Sequence, residues 1–384
     1  MALEVSNLIK SYPEFRVEVD FSVASGETLV LAGPSGCGKT TVLGLIAGLL
    51  RPDSGTIRID GEDLTEVPPW KRDIGLVFQD PALFPHLSVG KNAAYGPFIR
   101  GMGREARRRL AETTLEAVHL AGYGVRSVDT LSGGERQRAA IARALAAAPR
   151  ALLLDEPFSS LDAPLRRELR REFSSLIKAG SGAGRPVVFV THDREEAAVI
   201  GGRIALMRGG KILESGPARE LFLAPRTRFG AEFFGTGTVL PCMVEGPCLV
   251  EGPCRAEGPC PGGLRLSSPL GRLQVSVPPS GPPGGRPLGG PAGEAGNSAW
   301  LLVPRDAVSI GRDSGPNAAF SLNATFSLNA LVKSAVFEGD RISLELELSG
   351  GYSLQAALSP RSEPPRRGER VLAAIDGSLL RLLR

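Results

Sequence analysis

The sequence predicts an α/β fold, a mixed sheet with helices on both faces, followed by a small all-β, barrel-like domain. Three observations predict it. From Met1 to about Phe234, short apolar runs such as Thr28–Ala32, Ala151–Asp155 and Val187–Thr191 alternate with stretches compatible with helix, the pattern of a largely parallel sheet covered on both sides. A glycine-rich segment, Gly33–Thr40, links one such run to one such helix. From Ala299 to Arg384 helical stretches give way to β-type runs at Ala299–Val303, Arg341–Glu347 and Arg370–Ile375, separated by Gly-Asp and Gly-Gly turns.

Leu3–Val23 has no helical stretch inside it and reads as an antiparallel β entry. Thr41–Leu50 is apolar and too short to cross a bilayer, so it reads as a buried helix. Between about 84 and 130 the pattern turns helical, and Arg104–Leu120 is amphipathic, with Arg104, Arg107, Arg108 and Arg109 on a face that reads as solvated surface. Leu152–Asp155 has the bulk of a central strand. Residues 235–297 differ in kind. They carry Glu-Gly-Pro-Cys at 245–248, 251–254 and 257–260, then a Pro/Gly-rich stretch. That composition suggests loop or linker and no packed core. The expected division is therefore 1–234, a linker over 235–297, and a β-domain over 298–384.

Bulk properties narrow the classes. A formal charge of +4 without a basic stripe argues against nucleic acid as a partner. No apolar run reaches the roughly 18–20 residues of a membrane span, and MALEVSNLIK has no signal-peptide pattern, so attachment to a membrane would come through a partner. Of five cysteines, Cys37 stands alone, while Cys242, Cys248, Cys254 and Cys260 recur every six residues, a spacing unlike that of structural zinc.

The chemistry begins at Gly33-Pro34-Ser35-Gly36-Cys37-Gly38-Lys39-Thr40, with Thr41 opening the helix. Glycines let backbone N–H groups turn inward around a phosphate chain, and the helix start adds positive potential. Lys39 would reach the β- and γ-phosphates, and the Thr40 hydroxyl would ligate Mg²⁺. Asp155 and Glu156 end an apolar strand. Asp155 is expected to hold the metal through water, and Glu156 to polarise the attacking water. Gln79 and His192 also end apolar runs, so the amide could reach metal or water and the imidazole the γ-phosphate; for His192 a structural role is the alternative. Tyr12 could stack on adenine or could serve packing. Finally, Leu131-Ser132-Gly133-Gly134-Glu135 has the spacing of a capping box opening a helix through Leu145. Glycines at that helix mouth make a second anion half-site, which suggests a head-to-tail pair in which each copy caps the other's nucleotide.

The ordered set Gly33–Thr40, Gln79, Leu131–Gln137, Leu152–Glu156, Ser160-Leu-Asp162 and His192 resembles the nucleotide-binding subunit of ABC transporters, a P-loop NTPase of ABC type with a helical subdomain, over about 1–230. The resemblance implies ATP and Mg²⁺ as cofactors, Tyr12 at the adenine, Thr40, Gln79 and Asp155 about the metal, and Glu156 as catalytic base. It also implies His192 as the switch histidine, Ser132, Gly133, Gly134 and Gln137 in the nucleotide contact set offered to the partner copy, and Asp162 coupling the two sites. Phe78–His86 and the β-rich tail are similar to importers whose ATPases end in a TOBE-type domain, the ferric iron, polyamine, sulfate and sugar group. The resemblance further implies a homodimer or paired ATPase subunit, two transmembrane permease subunits, a solute-binding protein acting indirectly, and a peripheral place on the cytoplasmic face of the inner membrane. An exporter ATPase is the alternative, and a non-transport ABC protein a more distant one.

Overall fold

Burial patterns sort the strands by role. In β1 (Leu3–Tyr12) and β2 (Phe15–Val23), Leu3, Val5, Leu8, Val17, Val19 and Val23 turn inward between exposed polar residues. The two pair antiparallel from Leu3↔Val23 to Tyr12↔Phe15, so the β entry forms as its alternation predicts. In β3 (Thr28–Ala32), β7 (Ala151–Asp155) and β8 (Val187–Thr191) alternation is absent because both faces are covered. The computed structural model describes residues 2–179, 184–248, 263–276, 298–312, 326–348, 350–376 and 379–383, and the chain divides into two units, Met1–Leu221 and Phe222–Arg384.

In the first unit, β4 (Ser54–Ile59), β5 (Glu62–Asp63), β6 (Ile74–Val77), β9 (Arg203–Arg208) and β10 (Lys211–Pro217) complete one sheet. Its order among the described residues is β5-β4-β1-β2-β10-β9-β3-β8-β7-β6. Strands β9, β3, β8, β7 and β6 run parallel to one another. They therefore deliver their carboxyl ends to one edge, where ligands of open α/β sheets bind. Helix α1 (Lys39–Ala47) packs on this sheet through Val42, Leu43, Leu45 and Ile46. Four helices come after β6: α2 (Val89–Ala93), α3 (Tyr95–Ile99) and α4 (Arg104–Ala117) fall within the stretch of about 84–130 where the pattern turns helical, and α5 (Gly133–Ala146) begins beyond it. Then come α6 (Ala163–Ala179), α7 (Arg194–Ile200) and α8 (Ala218–Leu223). Among the described residues no helix is long and apolar enough to cross a membrane.

The second unit contains α9 (Arg228–Phe234) and two sheets, of order β13-β12-β11-β14-β20 and β15-β19-β16-β17-β18. The strands are β11 (Gly237–Cys248), β12 (Gly263–Ser268), β13 (Gly271–Ser276), β14 (Ser298–Pro304), β15 (Val308–Arg312), β16 (Phe326–Phe337), β17 (Ile342–Leu348), β18 (Ser353–Leu358), β19 (Arg370–Ile375) and β20 (Arg381–Leu383). Leu240, Leu266 and Leu301 of one sheet share a core with Val332, Leu344 and Leu354 of the other, giving the barrel-like arrangement expected. The linker reading of 235–297 needs correction. β11 pairs with β14 from Gly237↔Pro304 to Met243↔Ser298 and with β12 beyond, and Leu240, Cys242 and Leu266 are buried. The averaged Gly/Pro content masks the alternation Val239-Leu240-Pro241-Cys242, which is enough to make a strand. The first Glu-Gly-Pro-Cys copy closes β11, and the other two lie outside the described residues.

Candidate functional site

The phosphate cradle forms where β3 meets α1. At Gly33 the backbone has φ 152°, and a Cβ there would overlap the carbonyl oxygen of Met207 on β9. Gly38 has φ 103°, and its Cβ would stand 2.9 Å from Val17 and 3.0 Å from Phe15. Only glycine lets the loop lie this close to its neighbours. Lys39 is 5% exposed, and its ammonium donates to the carbonyls of Gly33 and Pro34, both at 2.9 Å. The charge is thus held inside the loop, beside Cys37, whose thiol burial pushes upward in pKa. Pro34, Ser35, Gly36 and Thr40 are exposed, and Thr41 is half-buried. Tyr12, 41% exposed, ends β1 at the turn leading to Phe15, whose ring touches the loop at Gly38.

Three of the parallel strand ends bring the acidic pair, the glutamine and the histidine together. Asp155, the last residue of β7, is 4% exposed. Burial pushes its carboxyl up, the Glu156 charge adds to that, and the Thr40 hydroxyl and Lys39 oppose it. Its Oδ1 is buried without a hydrogen-bond partner among the described residues. Glu156 comes next with φ 45°, a left-handed conformation that costs a non-glycine residue about 1–3 kcal/mol and tends to mark a functional site. The turn is held by Glu156 N–H donating to Val190 of β8 (3.1 Å) and by the Ser159 hydroxyl donating to the Glu156 carbonyl (2.9 Å). So aimed, the Glu156 carboxylate meets His192 Nδ1 at 2.8 Å through Oε1 and Gln79 Nε2 at 3.5 Å through Oε2. A cavity of about 1030 Å³ is lined by Thr40, Gln79 and Asp155 and, from α5, by Gly133 and Arg136.

The capping box is present. The Ser132 hydroxyl accepts from Glu135 N–H at 3.2 Å, and the Glu135 carboxylate accepts from Ser132 N–H at 2.7 Å, which holds Glu135 below the usual carboxylate range. Ser132 and Gly133 are exposed and Gly134 half-buried at the helix mouth, while Asp162 is exposed just ahead of α6. Gln137 differs from its companions. It is fully buried, and its amide donates to the Phe78 carbonyl at 3.1 Å, because one turn into α5 a side chain already faces the subdomain core. In this structure it supports the loop carrying Gln79, and its burial takes it out of reach of a partner's nucleotide.

That loop has further supports which the sequence pattern does not reveal. Arg143 Nη1 donates to the Ala82 carbonyl at 2.6 Å and its guanidinium lies 5.2 Å from the Phe84 ring. Asn92, fully buried, accepts from Phe84 N–H (2.8 Å) and donates to the carbonyls of Phe84, Leu87 and Ser88 at 3.1–3.2 Å. An arginine or asparagine in a polar helix carries no sequence signal of such a partner.

Comparison with known proteins bears on this constellation. The ABC transporter family profile matches residues 17–159. The chain is 44% identical over 245 residues to the "Fe(3+) ions import ATP-binding protein FbpC 1" of Haemophilus influenzae, covering 63% of this chain and 74% of that protein. It is 48% identical over 219 residues to the "Spermidine/putrescine import ATP-binding protein PotA" of Acidothermus cellulolyticus, covering 57% and 56%. Among solved structures, a dimeric ATP-binding cassette in a post-hydrolysis state with ADP and phosphate matches at TM-score 0.51 and 32% identity, over 56% of this chain and 99% of that one. With cradle, capped glycine motif and acidic pair in this order about one sheet, the chain belongs to the ABC transporter family as an ATP-binding, ATP-hydrolysing subunit.

Proposed function

We propose that the chain is the ATPase of an ABC import system, working as a pair of copies on the cytoplasmic face of the inner membrane beneath two transmembrane permease subunits. A solute-binding protein would deliver cargo from outside. The import names of the relatives support this reading, and the dimeric solved neighbour supports the pairing. Ferric iron or a polyamine is the proposed cargo class, since those are the solutes in the relatives' names.

The observation that carries the site reading is the double hold on Glu156, by His192 at 2.8 Å and Gln79 at 3.5 Å, beside the cradle. Lys39 binds the β- and γ-phosphates. Glu156 orients a water and takes its proton as the water oxygen bonds to the γ-phosphorus and the bond to the bridging oxygen breaks, leaving ADP and phosphate. His192 donates to the γ-phosphate and Gln79 positions the water. Tyr12 stacks on the base, and Ser132 with Gly133 and Gly134 caps the γ-phosphate held by the other copy, with Asp162 between the two sites. The buried Asp155 Oδ1 that lacks a partner among the described residues, next to the Thr40 hydroxyl, fits a divalent cation, so Thr40, Asp155 and Gln79 would hold Mg²⁺. Mg²⁺ when bound neutralises charge on the β- and γ-phosphate oxygens.

Glu156→Gln tests the reading. It keeps size and loses the base, so turnover is expected to fall at least 100-fold while ATP affinity stays within about threefold and ATP drives the chain into dimers on size-exclusion chromatography. Undiminished turnover in that variant would falsify the assignment of the base.

A further inference from the structure

Arginine on a helix belongs on the solvated face, yet Arg170 of α6 is 5% exposed. Its Nη2 donates to Asp193 Oδ2 at 2.5 Å and to Glu196 Oε1 at 3.0 Å, and its Nη1 donates to Glu195 Oε2 at 3.1 Å. Glu196 is itself buried, and its Oε2 accepts the Thr191 hydroxyl at 2.6 Å. The same hydroxyl oxygen accepts from Asp193 N–H at 2.9 Å. Both neighbours of His192 in the chain are therefore tied into one network around a buried cation on a different helix, Arg170, with Glu196 buried beside it and Asp193 and Glu195 at its solvent side. The histidine ring takes no part in that network and meets Glu156 instead.

The N-terminal turn of α6 is fastened as well. Arg166, one turn earlier, donates through Nη2 to the carbonyls of Leu161 at 2.7 Å and Ser159 at 3.3 Å. A single helix thus connects the loop 159–162 to the segment 191–193. A guanidinium fork can satisfy several carboxylates at fixed angles, which a lysine ammonium cannot.

We propose that Arg170 is a positioning residue for ATP hydrolysis: it clamps Asp193 directly and Thr191 through Glu196, so that His192 stays on Glu156. The proposal rests on the reading of His192 as a γ-phosphate contact, and the experiment separates the two. In the full-length chain, Arg170→Met is expected to lower kcat at least tenfold with the KM for ATP within twofold, and Arg170→Lys to recover part of the loss. Thr191→Val, which only removes the bridging hydroxyl, is expected to lower kcat several-fold and serves if Arg170→Met does not fold. With ¹³C-labelled histidine, the His192 ring signal should move in each variant that loses activity, while that of His86 stays in place; His119 meets Glu172 of α6 at 2.6 Å, so its signal can follow the helix and is not the reference. An unchanged kcat, a KM that rises as much as kcat falls, or a lowered kcat with an unmoved His192 signal overturns the proposal. His192→Ala with full turnover would overturn the reading of the histidine itself, and the clamp would then have nothing to position.

Discussion

Arg72 is the perturbation whose size the structure fixes best. It is 2% exposed and donates to four carbonyls: Nη1 to Leu45 (2.9 Å) and Ile46 (2.8 Å), Nε to Val67 (2.7 Å) and Nη2 to Thr65 (2.9 Å). Leu45 and Ile46 belong to the last turn of α1, the helix that opens at the phosphate cradle, where carbonyls have few helical partners; that of Leu45 also accepts from Gly48 N–H at 3.1 Å, while Arg72 is a main support of the Ile46 carbonyl. At about 1.5–3 kcal/mol for each hydrogen bond to a charged group, four bonds represent roughly 6–12 kcal/mol gross. Burial of the guanidinium, which lowers its pKa, offsets several kcal/mol of that, and water can reach the partly buried Val67 and Thr65 carbonyls once the side chain is gone. The net cost of Arg72→Met should therefore be about 3–5 kcal/mol, the penalty of leaving buried carbonyls short of a donor less the desolvation of the guanidinium that is relieved. Urea unfolding followed by far-UV circular dichroism reads it, because all but the last short helix begin in the first unit. Arg72→Lys, with three donors on a single nitrogen, should recover less than half. A loss under about 1 kcal/mol at unchanged m-value would refute the reasoning, since an orphaned set of buried carbonyls cannot be that cheap.

Gly33→Ala should cut ATP affinity at least tenfold by titration calorimetry, because its Cβ would overlap the Met207 carbonyl and displace the cradle. The raised Asp155 carboxyl predicts a pH effect: with its folded pKa above the unfolded value, this group's contribution to stability grows as pH falls and is lost as pH rises through the folded pKa. With Asp155 holding Mg²⁺ as proposed, the proton would compete with the metal, so Mg²⁺-dependent thermal stabilisation should fade on acidification through the same range, earlier than for an ordinary carboxylate, and Asp155→Asn should remove the trend. Cys242, buried and pushed up to about 11, should resist iodoacetamide in the native chain at pH 8 and react fully once unfolded, as read by peptide mass spectrometry.

Much of the site was legible because its residues sit at strand ends and helix starts, where sequence pattern and function coincide. Four apolar residues in a row, alternating along the chain with helical stretches, read as covered strands, which places Asp155 and the histidine after Thr191 at one edge of a parallel sheet. Ser132 and Glu135 declared their helix start by spacing alone. What escaped reading was long-range and polar. Nothing near Arg72, Asn92, Arg143 or Arg170 in the chain says that the partner is a carbonyl or carboxylate from 4 to 61 residues away. Gln137 shows the converse. It lies inside a recognisable motif, but helical period, and not motif membership, decides which way a side chain points.

These long-range contacts share a physical logic. The groups expected to touch nucleotide are mostly exposed or half-exposed, as His192, Gln79 and Ser132 are, and exposed polar side chains have many rotamers to lose on ordering. A catalytic geometry accurate to a fraction of an ångström needs that freedom removed before the substrate arrives. The chain does so from below, with residues that hold the main chain or side chain next to each functional side chain: Gln137 at the Phe78 carbonyl next to Gln79, the Glu135 carboxylate at the Ser132 N–H, and Arg170 at the Asp193 carboxylate next to His192. In each case the grip is a bond to the neighbouring main chain or side chain, which leaves the functional atoms free to meet phosphate. The supports should therefore be separable from the site by kinetics, through kcat falling while nucleotide affinity persists, whereas substitutions in the cradle should lose both.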